Sequence, residues 1–156
     1  MEYLLVKWIH ILSSVLLVGI GLGSAFYKYM TDRSRDINAI AVTNKNVVLA
    51  DWLFTTPTIV IQPLTGFIMV WISGYTLSSS WLIASIILYV IAGACWIPVV
   101  FLQIKMREIS IRALNSGSVL PDLYWYYTRI WFWLGVPAFV CMIMIYFLMV
   151  YKPQLF

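Results

Sequence analysis

Residues 3–26 read YLLVKWIHILSSVLLVGIGLGSAF. The run is long enough to cross a hydrocarbon core of about 30 Å as one helix. A single segment can satisfy its backbone in lipid only as a helix. The run exceeds the roughly 7–15 apolar residues of a signal peptide and has no small-residue cleavage site after it, so it is expected to stay in the mature protein. Near its start it carries His10, the one histidine of the chain. An ionisable side chain inside a span is costly and marks a candidate functional site.

Working outward, three more stretches have the same character: roughly 47–72, 80–103 and 126–151, after a first span at 3–27. The chain has 156 residues, 63% hydrophobic and 10% charged. Soluble domains have about 25% charged residues, so a water-soluble fold is excluded. No stretch alternates with period two, as a membrane barrel requires. The expected fold is a single all-α domain, residues 1–156, forming an up-down-up-down transmembrane four-helix bundle.

Charge sets the orientation. Loop one holds Lys28, Arg33, Arg35 and Lys45, and loop three holds Lys105, Arg107 and Arg112, with Arg129 at its edge. These are eight of the ten Lys and Arg residues, while loop two (73–80) is uncharged. The positive-inside rule places loops one and three in the cytoplasm and both termini outside, as in a multi-pass protein of a bacterial inner membrane. The net charge of +4 thus reads as topology and lipid contact, with no nucleic-acid partner. Trp8, Trp71, Trp81 and Tyr151 are expected at the outer interface, and Trp52, Tyr124, Trp125, Tyr126 and Tyr127 at the inner one. Loop one, about 18 residues of polar composition, reads as a loop with room for a short interfacial helix. Lys105–Arg112 reads as an extension of the third helix that stops at Asn115-Ser-Gly117.

At about 100° per residue, His10, Ser14, Leu17, Gly21, Ser24 and Lys28 share one small, polar face, a face that turns toward protein. Gly19 and Gly23 form a GxxxG pair on the opposite face, which permits close contact with another helix of this chain or of a second copy. The second span is the most polar, with Asp51, Thr55, Thr56, Thr58, Gln62 and Thr65. Pro57 and Pro63 each remove a helix hydrogen bond, and the freed carbonyls need partners or line a cavity. Gln62, Thr65 and Gly66 should lie near the depth of His10, with Tyr89 and Met142–Met144 reaching the same layer. Asp51 reads as a helix-start carboxylate or as a partner of Arg33, Arg35 or Arg129. Cys95 and Cys141 fall at different depths, out of disulfide reach.

Four chemistries are open at His10. It is a candidate axial ligand for haem, with one histidine then requiring methionine, a second copy or five-coordinate iron to complete the site. It is a candidate copper ligand with methionines, although Met142, Met144 and Met149 do not share a helical face. It is a candidate relay in proton or quinone chemistry with Gln62 and Tyr89. It also reads as a hydrogen-bonded interior residue. No hydrolytic triad, phosphate loop or carboxylate pair is present.

Four blocks carry a resemblance. They are His10 with Gly19–Gly23, Asp51-Trp-Leu-Phe-Thr-Thr-Pro57 through Gly66, Leu88–Pro98 continuing to Arg107, and Trp131–Phe139 ending in Met149–Pro153. Together they resemble a bacterial family of four-span inner-membrane proteins, domain of unknown function 2269. That family looks distantly similar to the copper-resistance protein D group and the HemJ-type membrane proteins, in which a first-span histidine is implicated in haem or metal binding. The resemblance implies a haem-associated or redox-linked bundle with His10 as metal ligand. In that reading Gln62, Thr65 and Tyr89 orient the imidazole or a propionate, and Gly21 and Gly66 give the flat ring room. The alternatives are an accessory subunit that holds a membrane partner or homodimer, and a small metal or solute permease.

Overall fold

The computed structural model describes residues 1–155. Five α-helices and one π-helical turn follow in order: α1 (Glu2–Ser34), α2 (Ile37–Ala50), the π turn (Asp51–Thr55), α3 (Thr56–Ser73), α4 (Ser80–Ser116) and α5 (Asp122–Tyr151). Helix α2, the π turn and α3 run on as one rod, Ile37–Ser73, so the described residues contain four helices long and apolar enough to cross a membrane. The all-α bundle is the one the apolar periodicity calls for.

The helices overrun the spans at the charged end. Of the expected loop one only a turn at Arg35 and Asp36 remains, and the helix it had room for is α2. Helix α1 continues to Ser34, Arg35 takes the left-handed conformation (φ 59°), and Asp36 caps α2 by accepting from the Asn38 and Ala39 amides. Polar composition misled here because the polar residues fall at helical spacing and face protein. Lys28, Asp32, Ile40, Ala41 and Asn44 are all buried. Helix α4 extends as expected and ends at Gly117, whose φ of 62° favours glycine.

Two aromatic residues also depart from their expected places. Tyr124 is wholly buried and Trp81 nearly so, whereas Trp8, Trp71, Tyr151, Trp52 and Tyr126 are exposed. Each buried ring closes one end of the bundle. At the charged end Ile40, Val99, Met106, Ile109, Tyr124 and Trp131 form a core. At the other end Val70, Trp81 and Leu82 pack together with Met149. The bundle is therefore two hairpins, α1 with α2–α3 and α4 with α5, held at both ends. Helices α1 and α5 touch sparingly between those ends. In lipid closing such a gap gains no hydrophobic free energy, because acyl chains are as apolar as leucine.

Candidate functional site

The His10 layer joins α1 to α3. His10 Nδ1 lies 2.8 Å from Thr65 Oγ1. The Thr65 hydroxyl proton is directed at the Ile61 carbonyl, 2.6 Å away. Thr65 therefore accepts from His10, which places the imidazole proton on Nδ1 and leaves the Nε2 lone pair free. Gln62 Nε2 donates to the His10 carbonyl at 2.8 Å and to Ser13 Oγ. A Cβ built on Gly66 would stand 3.5 Å from His10 Cε1, an ordinary van der Waals distance, so Gly66 faces the imidazole ring. The structure brings together His10, Gln62, Thr65 and Gly66.

Tyr89 and Gly21 lie elsewhere. Tyr89 donates to the Ile59 carbonyl at 2.6 Å. That carbonyl is the one Pro63 cannot bond, being four residues before it. Tyr89 and Gly21 line a cavity of about 360 Å³ whose walls do not include His10, Gln62, Thr65 or Gly66. Met142 also lines the cavity, whereas Met144 is exposed. The walls come from α1 (Leu17, Gly21), the π turn (Asp51, Thr55), α4 (Tyr89, Gly93, Trp96, Gln103) and α5 (Trp131, Gly135, Phe139). Leu22, Phe132, Val136 and Val140 line it while remaining exposed, so it opens sideways between α1 and α5. Two struts bound the opening: Tyr146 donates to the Ser14 carbonyl at 3.1 Å, and the Tyr29 and Phe132 rings lie 6.4 Å apart.

The charged end of the cavity is polar. Asp51 is 6% exposed, and its Oδ1 accepts from Thr55 at 2.9 Å. It stands within the continuous α2–α3 rod and makes no salt bridge with Arg33, Arg35 or Arg129. Both structural roles expected for it are thus replaced. Four buried side-chain atoms among the described residues lack any hydrogen-bond partner: Asp51 Oδ2, Trp96 Nε1, Gln103 Oε1 and Trp131 Nε1. All four residues line the cavity. Asp51 also opens the π turn, in which the Thr56 amide reaches back to the Asp51 carbonyl. Such turns are frequent at functional sites. The sequence did hold a signal for this face, since Asp51, Thr55, Thr58, Gln62 and Thr65 recur at spacings of four and three residues, and all five are buried.

Residues 4–153 match the family described as predicted integral membrane protein (DUF2269). The chain belongs to that family. No match is found among curated proteins or among solved structures.

This DUF2269 chain holds a second buried polar cluster that sequence reasoning missed. Lys28 Nζ donates to Asp32 Oδ2 at 2.7 Å and to the Tyr124 hydroxyl at 3.0 Å. Tyr124 donates in turn to Asp32 Oδ1 at 2.6 Å, and Asn44 Nδ2 donates to Tyr124 at 3.0 Å and to Ser110 Oγ at 3.2 Å. The ammonium also stands over the rings of Tyr124 and Trp131. Lys28 counts among the loop-one charges and also lies on the stripe of α1 expected to face protein, and it is on that inward face that its ammonium pairs with Asp32. The i,i+4 spacing of Lys28 and Asp32 was the available signal. Neither this cluster nor any other described group of three His, Cys, Asp or Glu residues could hold a metal ion. Cys95 and Cys141 are free thiols, and Gly19 and Gly23 have nothing within 4 Å of a built Cβ, so no helix of this chain closes on them.

Proposed function

We propose that this protein is a membrane-embedded binding protein that takes a lipid-soluble small molecule from the bilayer through the opening between α1 and α5. The observation that carries the reading is the cavity itself, which is lined mostly by apolar residues, carries four unpartnered polar atoms on its lining residues and is flanked by exposed side chains of α1 and α5. Pockets for small ligands fall in the range of about 300–1,000 Å³ and often sit between the helices of bundles. The positive end of the molecule is the cytoplasmic one in this reading, with both termini outside a bacterial inner membrane.

The test blocks the cavity. Gly93 lines the cavity and a Cβ built on it meets nothing within 4 Å, so Gly93→Leu adds side-chain volume at the cavity wall. Solvent extracts of the purified natural chain and of the variant are compared by mass spectrometry. A near-stoichiometric small molecule, lost in Gly93→Leu, is expected. Identical extracts would overturn the reading.

A second reading places haem at His10. It is favoured by the imidazole, which has Nδ1 committed to Thr65 and Nε2 free, the arrangement found in metal-ligating histidines. His10 would supply the axial nitrogen, Thr65 would fix its tautomer, and Gly66 would keep the ring seated. Haem would supply electron exchange. The cavity walls exclude His10, so this site is separate from the first. The visible spectrum of the purified protein, oxidised and reduced, decides it beside His10→Ala. A Soret band lost in the variant is the expected result, and a colourless protein after haem supply removes the reading.

A further inference from the structure

The four unpartnered atoms carried by residues that line the cavity define what its occupant presents. Asp51 Oδ2, taken as a carboxylate oxygen, and Gln103 Oε1 accept hydrogen bonds, and the Trp96 and Trp131 indole N–H groups donate them. Asp51, Gln103 and Trp131 are each more than nine-tenths buried. An unsatisfied buried group costs about 1–3 kcal/mol, more when charged. The occupant that removes most of this cost both donates and accepts.

That requirement sorts the lipid-soluble classes. A hydrocarbon tail or an ether leaves the two acceptors unpaired. A quinone carries acceptors alone and satisfies the indoles while leaving Asp51 and Gln103 without donors. An amine in its ammonium form donates only, and leaves both indoles unpaired. A hydroxyl donates one hydrogen bond and accepts others, so two hydroxyls answer two acceptors and two donors. The walls add a preference for a ring. Gly21, Gly93 and Gly135, on three different helices, contribute no side chain, and each has open space where a Cβ would stand. Tyr89 and Phe139 supply aromatic faces beside them.

Resting on the reading of the cavity as a bilayer-fed binding site, we infer that its ligand is a hydroxyl-bearing aromatic amphiphile of the phenol or hydroquinone class. Its apolar edge faces the opening between α1 and α5. Its hydroxyls donate to Asp51 and Gln103 and accept from Trp96 and Trp131.

The experiment uses four probes built on a tetramethyl-substituted six-membered ring: tetramethylhydroquinone, its dimethyl ether, tetramethylbenzoquinone and tetramethylbenzylamine. Each is titrated anaerobically against the detergent-purified full chain, and affinity is read from the concentration dependence of the melting temperature. The hydroquinone is expected to bind at least about tenfold more tightly than the ether, the cost of leaving one buried acceptor without its hydrogen bond. Asp51→Leu should bring the two within about twofold of each other, and Trp96→Phe should weaken the hydroquinone while sparing the amine. If Asp51→Leu does not fold, Gln103→Leu carries the same comparison. Equal binding of hydroquinone and ether, or preference for the quinone or the amine, would overturn the head-group assignment and leave the binding cavity standing. If no probe binds and Gly93→Leu also leaves the extracts unchanged, the four atoms are hydrated by water alone and both readings fall.

Discussion

At Lys28 a charge that looks like a topology marker turns inward. Its side chain is 1% exposed and is bonded to Asp32 and Tyr124, with Asn44 closing the set. Removing one member of a buried ion pair leaves the other charge without a partner, at a cost of about 3–5 kcal/mol. Asp32→Ala should therefore lower the unfolding midpoint in a denaturing-detergent titration by several kcal/mol. Lys28→Met combined with Asp32→Leu should recover most of that loss, because no charge then remains to be desolvated. Failure of the double variant to recover would assign the cost to lost packing on Tyr124. His10 shows the opposite balance. Its depth and its partners Gln62, Thr65 and Gly66 were legible from helical rise and periodicity. Its tautomer was not, because that depends on where the Thr65 proton points.

Among the elements, the rod from Ile37 to Ser73 carries the most information. Two prolines and a π turn interrupt its hydrogen bonds. Thr58 back-bonds to the Phe54 and Thr55 carbonyls, each at 2.8 Å, and Tyr89 serves the Ile59 carbonyl freed by Pro63. That the prolines would free carbonyls followed from the sequence. That Tyr89 of α4 would be the donor required the fold. Tyr89→Phe should cost about 1–3 kcal/mol, the penalty of a buried carbonyl left without a donor. In a Pro63→Ala background, where residue 63 supplies its own amide, the same change should cost well under half as much. A double-mutant cycle on unfolding free energies measures the difference, and additivity of the two substitutions would refute the pairing. The end of α1 teaches a second lesson. A polar stretch was read as loop, but its polar residues were the inward face of two helices that turn back at Arg35 and Asp36.

Across the whole molecule, two hairpins are fastened at their ends and stand apart in the middle. The charged end holds eight basic residues along or near it, and the other end is a short uncharged turn. In a variant without Cys95 and Cys141, a cysteine at exposed Ser78 should react with a membrane-impermeant maleimide in intact cells. One at exposed Ser118 should react only after lysis. The reverse pattern would invert the orientation and put the polar end of the cavity outside.

The sequence by itself determined the solvent of this protein, the four crossings and the polar layer around His10, because hydropathy and the 3.6-residue period act within one helix at a time. Tertiary structure alone decided which polar residues pair and where space remains. Asp51 and Gln103 meet Trp96 and Trp131 around a cavity, while Lys28 and Asp32 are sealed by Tyr124. Whether facing helices close or part depends on the summed side-chain volumes of several elements, on three glycines that come together at the gap, and on the register shift of one π turn. None of these is a property of any single segment.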